Sequence, residues 1–125
     1  IIILERNTNL DFIKNTGDLT NILLSSQILE TIFFKNGPLH DGAILIKDNY
    51  IVATRVVLPI SENSNLAKKF GLRHKAAIGI TEKTDVTAIV VSEQTGKISY
   101  FRDGEIVKFD SQGELTQIIL EDLNY

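Results

Sequence analysis

The sequence predicts an α/β fold, a single domain in which a central mixed β-sheet is flanked by helices. Three observations carry this. Apolar residues recur with a helical period near both ends of the chain, in "LTNILLSSQILETIFF" and "ELTQIILEDL". Between them lie β-branched runs, "AILIK", "YIVATRVVL" and "VTAIVVS", of strand length. Two-residue turn signals then join neighbouring runs, which favours hairpins. At 125 residues the chain can bury about two-thirds of its unfolded surface, enough for a shaped pocket.

Each element has its own warrant. In "GDLTNILLSSQILETIFFKNGP", Leu19, Ile22, Leu23, Leu29, Ile32 and Phe33 follow a 3.6-residue period, with Asp18 as N-cap and Gly37-Pro38 as stop, so one helix is expected. "AILIK" and "YIVATRVVL" flank Asp48-Asn49, which predicts a hairpin. Ser61 to Gly71 has a cap residue, a short apolar face and a glycine stop, and reads as a short helix. "LRHKAAIGITE" suits a helix through Ala76 and Ala77, although Ile78-Gly79-Ile80 also fits the start of a strand. "VTAIVVS" is a near-continuous apolar run, as expected for a central strand covered on both faces. "EQTG" turns it into "KISYFR", and Asp103-Gly104 leads on to "EIVKF" as a meander. In the tail, Leu115, Ile118, Ile119 and Leu123 share one face, predicting a last helix packed on the sheet.

Composition excludes several classes of function. Thirteen Lys and Arg against sixteen Asp and Glu give a net charge of -3, which argues against general attraction to nucleic acid or to anionic membranes. An anionic ligand must then be held by a local cluster. No cysteine is present, so disulfides, zinc-thiolate sites and thiol catalysis are excluded. The chain also lacks methionine and opens on "IIILERNTNLDF", so the expectation is a domain excised from a longer protein. Ile1 to Leu4 falls far short of the roughly 20 apolar residues of a spanning helix, and is expected to be a stub beside a removed anchor.

Three polar clusters adjoin element boundaries: His40-Asp41-Gly42, Arg73-His74-Lys75 and Ser92-Glu93. Both histidines of the chain fall in the first two. Asp41 suits a local turn hydrogen bond, but also a hard oxygen ligand for Mg²⁺ or Mn²⁺, with Gly42 letting a phosphate approach the backbone. Arg73-His74-Lys75 could be a solvated basic bump. Its apolar flanks, Phe70-Gly71-Leu72 and Ala76-Ala77-Ile78, place it at the core boundary instead, where two cations and an imidazole suit a polyphosphate. Ser92-Glu93 reads as a strand end, or as a second carboxylate toward a metal.

Together, "NGPLHDGAILI", "VVLPIS", "GLRHKAAIGITEKTD" and "IVVSEQTGKIS" resemble the diadenylate cyclase domain, the family that makes cyclic di-AMP from two ATP molecules. The resemblance runs from about Leu10 through the last helix, and "SSQILETIFFKNGPLHDGA" is most similar to the membrane-anchored branch. It implies the DisA-N-like α/β fold and a cytoplasmic domain of a protein held at the membrane. Asp41, Gly42 and Ala43 match the family's Asp-Gly-Ala motif. By resemblance, His40 and Asp41 hold a Mn²⁺ or Mg²⁺ ion, Asp41 helps activate a ribose 3′-hydroxyl, and Arg73 and His74 hold phosphates. Ser92 and Glu93 match an element on the phosphate and metal side, and the Leu58 backbone matches the adenine contact.

Three positions depart from the family pattern. Lys75 stands in place of arginine and lacks the planar fork, Leu72 replaces a threonine hydroxyl, and Val57 replaces an aromatic ring. What the resemblance implies is a homodimer with one ATP per protomer. It also associates this branch with a membrane-bound regulator and a phosphoglucosamine mutase. The departures at Leu72 and Lys75 keep a second expectation open, a module that binds ATP or cyclic di-AMP without turnover. A third is a structural domain whose polar clusters only cap turns.

Overall fold

In the computed structural model, residues 1–33, 42–59, 71–92 and 95–123 are described. One seven-stranded mixed sheet runs through them in the order β2-β4-β3-β1-β5-β6-β7. Its strands are β1 (Ile2–Leu4), β2 (Asp18–Leu23), β3 (Ala43–Lys47), β4 (Tyr50–Val56), β5 (Thr87–Val91), β6 (Ile98–Arg102) and β7 (Glu105–Val107). The described helices are α1 (Asp11–Lys14), α2 (Ser26–Ile32), α3 (Leu72–Lys83) and α4 (Gln112–Asp122). None of the helices searched is long and apolar enough to cross a membrane.

Alternation along the strands sorts side chains into two cores. Ile1 and Ile3, Ala43 and Leu45, and Ala88 and Val90 pack with α1 and α3 on one face. Ile2 and Leu4, Ile44 and Ile46, and Ile89 pack with α2 and α4 on the other. Both hairpins form as their sequences predict. Asp48 and Asn49 have φ of 52° and 68°, while Asp103 and Gly104 have 55° and 77°, the left-handed pairs that match strand twist. β5 is an interior strand, as its apolar run predicts, and α4 lays Ile119 and Leu123 on the second core. Its far end is tied down by Asp122, which accepts from the Tyr100 hydroxyl at 2.8 Å and pairs with Arg102 at 2.6 Å.

One expectation needs correction. The single helix expected from Asp18 is instead a strand, β2, followed by the short helix α2, whose cap is Ser25 accepting the Ile28 N–H at 3.1 Å. Leu19 and Leu23 mimic a helical stripe, yet they are 69% and 62% exposed, so their spacing does not report burial. The β-branched Thr20 and Ile22 favour extension, and β4 offers an open edge to pair with. The opening run, to which the sequence assigned no element, forms β1: Ile2–Leu4 is an interior strand paired parallel to β3 and antiparallel to β5. The short helix expected over 61–71 and the Gly37-Pro38 stop lie outside the described residues, Gly71 excepted.

"LRHKAAIGITE" is one helix, α3. Residues Ala76 through Thr81 are all buried, so the helix has no polar face there and no amphipathic period to read. Thr81 adds a buried tie, since its hydroxyl donates to the Ala77 carbonyl at 2.8 Å and accepts the Gly104 N–H at 3.1 Å.

Ile3 has no exposed surface. Replacing it by alanine should cost about 2–5 kcal/mol of unfolding free energy. Urea denaturation measures this, and a loss below about 1 kcal/mol would show that β1 is not part of the cooperative core.

Candidate functional site

Strand polarity gathers the predicted residues at one rim of the sheet. β3 begins there at Ala43, paired with Val56 at the end of β4. The Ile1 carbonyl accepts the Ile44 N–H at 3.0 Å, and Ile2 faces Ile89, so β5 ends toward the same rim with Ser92 just beyond. α3 starts there too.

A pocket of about 230 Å³ opens at this rim, lined by Ile1, Gly42, Ala43, Val56, Val57, Leu58, Leu72, Arg73 and Ala76. Five residues singled out as nucleotide contacts from sequence, Gly42, Ala43, Leu58, Leu72 and Arg73, therefore line one cavity. Ile1, Val56 and Ala76 were not anticipated. A periodicity argument assigns such residues to the core and has no means of placing them at its edge. Two larger recesses, of about 350 and 560 Å³, lie elsewhere. The first is at the opposite rim, among Glu5, Arg6, Lys47 and Asp48, and neither contains a predicted site residue. Size is the weaker criterion here, because of these three recesses among the described residues it is the small pocket that combines an apolar lining with an arginine at a helix start.

Local backbone explains the pocket's shape. Gly42 has φ +76°, and a Cβ on it would lie 2.9 Å from the Arg55 Cα and carbonyl carbon. Arg55 itself sits at φ 56° in mid-strand, where the β3–β4 register shifts. This bulge bends the end of β4, where Val56 still pairs with Ala43 before the chain leaves the ladder. Val57 is 64% exposed and Leu72 70%, so two large apolar side chains stand open at one pocket. The Leu58 side chain lies in the core, so it can offer the pocket its backbone.

The features suited to an anion belong to α3. Its N-cap is Gly71, which has no side chain to satisfy the first N–H groups, and a helix start carries partial positive charge. Arg73 lines the pocket one residue into the helix, with His74 and Lys75 following. The His74 ring meets Phe101 edge-on at 5.9 Å, and burial holds its pKa below the ordinary 6.5. Ser92 stands apart from the pocket lining. Its hydroxyl accepts the Thr95 N–H at 3.3 Å, and its carbonyl accepts the Gly96 N–H at 2.9 Å, so it closes a turn. His40, Asp41 and Glu93 lie outside the described residues, although Asp41 precedes Gly42 and Glu93 follows Ser92 in the chain. Among the described residues no cluster of acidic or histidine side chains could hold a metal.

The family model described as DisA bacterial checkpoint controller nucleotide-binding matches residues 1–106. The chain belongs to this family. A diadenylate cyclase of Listeria monocytogenes is 46% identical over 123 residues, 98% of this chain and 45% of that protein. The crystal structure of a DacA double mutant from Staphylococcus aureus superposes with TM-score 0.91 at 35% identity, covering 98% of this chain and 81% of that one. A structure titled as a hypothetical membrane spanning protein from Bacillus cereus gives TM-score 0.82 at 40% identity, over 88% and 54%. The chain spans about half the length of the curated relatives it matches. The mixed sheet with its helices is thus shared with the DacA structure, as the sequence resemblance implies.

Two outcomes follow. Gly42→Ala should destabilise the domain by about 1–2 kcal/mol, because the left-handed backbone and the contact with Arg55 both reject a Cβ. Chemical denaturation measures it, and no loss would mean that the turn relaxes freely. His74 should titrate below 6.5 by NMR in the free domain. The folded state then binds fewer protons than the unfolded one, so this contribution to stability is complete above the unfolded pKa and is lost as pH falls from that value through the lower folded pKa. Added triphosphate should move the midpoint upward; a midpoint at or above 6.5 without ligand would contradict the assignment.

Proposed function

We propose that the domain condenses two ATP molecules into cyclic di-AMP, releasing two pyrophosphates. The observation that carries this is the convergence of Gly42, Ala43, Leu58, Leu72 and Arg73 on one pocket in a member of the DisA nucleotide-binding family. Two named relatives, the Listeria monocytogenes protein and the CdaS of Bacillus thuringiensis, are diadenylate cyclases, which supports the same reading.

The pocket's size supports a division of the nucleotide. At about 230 Å³ it is smaller than the roughly 300–1,000 Å³ of sites that enclose a whole ligand. It takes the adenosine end, with adenine between the apolar side chains of Val57 and Leu72 and against the Leu58 backbone. The triphosphate then lies at the mouth, along Arg73, His74 and the start of α3, where charge-assisted bonds offset its lost hydration. Lys75 adds a point charge but no bidentate fork.

A 3′-hydroxyl of one ATP attacks the α-phosphate of the other. The new O–P bond forms as the bond to the β-phosphate oxygen breaks, the hydroxyl proton passes to a base, and pyrophosphate leaves. Repetition with the roles exchanged closes the ring. One protomer holds one ATP, so two protomers must meet face to face with their pocket mouths together. Asp41 is the base assigned to the hydroxyl, and His40, Asp41 and Glu93 are the residues that would hold Mn²⁺ or Mg²⁺. The two carboxylates suit either ion, and the imidazole nitrogen suits Mn²⁺ better than the harder Mg²⁺. When bound, it neutralises phosphate charge and lowers the hydroxyl pKa. The chain's own residues do the rest by positioning: Arg73 and the helix start fix the phosphates for in-line attack. The likeness to a structure described as a hypothetical membrane spanning protein supports a place for this domain at a membrane.

Incubation with ATP and Mn²⁺ or Mg²⁺ should yield cyclic di-AMP, and Asp41→Asn should abolish it. Arg73→Ala should lower kcat/KM by on the order of 10²-fold. Activity should rise more steeply than linearly with protein concentration while the dimer forms. Nucleotide protection against heat without product would select the non-catalytic binding module, which the lost hydroxyl at Leu72 and lost fork at Lys75 favour; strict proportionality well below the dimer dissociation constant would remove the two-protomer mechanism.

A further inference from the structure

The turn between α1 and β2 stands behind the pocket and touches it through one hydroxyl. Thr16 Oγ1 accepts the Val57 N–H at 2.8 Å and donates to the Ile13 carbonyl at 2.6 Å. Val57 is the first residue beyond β4, where the ladder has ended. Its neighbour Gly17 lies flat on the same strand: a Cβ there would come within 2.9 Å of the Val56 nitrogen and would run into the Thr54 carbonyl. Gly42 presses on Arg55 from the β3 side. The bulge is therefore gripped by a glycine on each flank, and Thr16 fixes the direction in which the chain leaves it. Val56, Val57 and Leu58, the three residues so directed, all line the pocket.

We propose that Thr16 is a positioning residue for the nucleotide base. Through its bond to Val57 it sets where the Val57 side chain and the Leu58 backbone meet adenine. The inference rests on the reading that the pocket holds the adenosine end of ATP. Without the hydroxyl, the segment after the bulge keeps Gly17 beneath it but loses its anchor at Val57, and the base meets a wall that must be ordered on binding. The Thr16 hydroxyl bonds to Ile13 and Val57 and not to α3, so its loss leaves the triphosphate subsite in place.

The base is remote from the reacting atoms, so the lost interaction acts equally on the ground and transition states. It raises KM and leaves kcat within about twofold. A merely structural defect lowers the fraction of active protein instead, with KM unchanged.

Calorimetric titration of the domain with ATP, and separately with tripolyphosphate, tests this. Thr16→Val should weaken ATP binding about five- to tenfold, the value of one hydrogen bond, while tripolyphosphate binds as in the wild type and reports an intact fold. Thr16→Ala, which cannot crowd the turn, should behave alike, and Thr16→Ser should restore ATP affinity. Wild-type ATP affinity in Thr16→Ala would overturn the inference alone, as would equal weakening of ATP and tripolyphosphate or a Thr16→Ser variant no better than Thr16→Ala. A wild-type domain that binds tripolyphosphate but not ATP would overturn the base-pocket reading and the inference with it.

Discussion

The two halves of the sheet are joined by three residues. On one side β2, β4 and β3 pair antiparallel; on the other β5, β6 and β7 form a meander; Ile2–Leu4 lies between them, parallel to one and antiparallel to the other. Because successive side chains alternate, Ile3 enters one core while Ile2 and Leu4 enter the second, so the same short strand seals both layers. The pocket inherits this arrangement. Gly42, Ala43 and the Val56–Leu58 segment come from the first half, whereas Arg73 is carried by α3, which rests on β5, β6 and β7. The two sides of the pocket, Gly42 to Leu58 and Arg73, are held together through β1.

Electrostatics then divides the labour at the rim. In a chain of net charge -3, the local cations are grouped where a helix begins, and Gly71 leaves that helix start without a side-chain cap. Burial biases His74 toward its neutral form, which an arriving phosphate would reverse. The apolar side chains at the mouth have the opposite character. Val57 and Leu72 stand exposed, and covering them with a purine ring removes apolar surface from water without requiring an aromatic partner.

Legibility in the sequence followed the range of the signal. Hairpins at Asp48-Asn49 and Asp103-Gly104 were readable because the turn chemistry is local. The last helix was readable because one face of it is apolar. Where the outcome depended on a distant partner, the sequence was silent or misleading: Leu19 and Leu23 lie at helical spacing but join the edge of β4, and Ile2–Leu4 is too short to show any period. At the site, Gly42 and Arg73 stood out as residue types suited to phosphate. Thr16 and Gly17 did not, because their role lies in touching Val57 and Val56, some 40 positions along the chain. The left-handed Arg55 was equally hidden, since nothing in its own residue type asks for that backbone.

The central claim is that ATP occupies the rim shared by β1, β3, β4 and α3, and not the larger recess at the other end of the same strands. Backbone amide shifts of the ¹⁵N-labelled domain on addition of ATP test it most directly. The account predicts that the largest changes fall on Gly42, Ala43, Val57, Leu58, Leu72 and Arg73. Changes concentrated instead on Glu5, Arg6, Lys47 and Asp48 would contradict it.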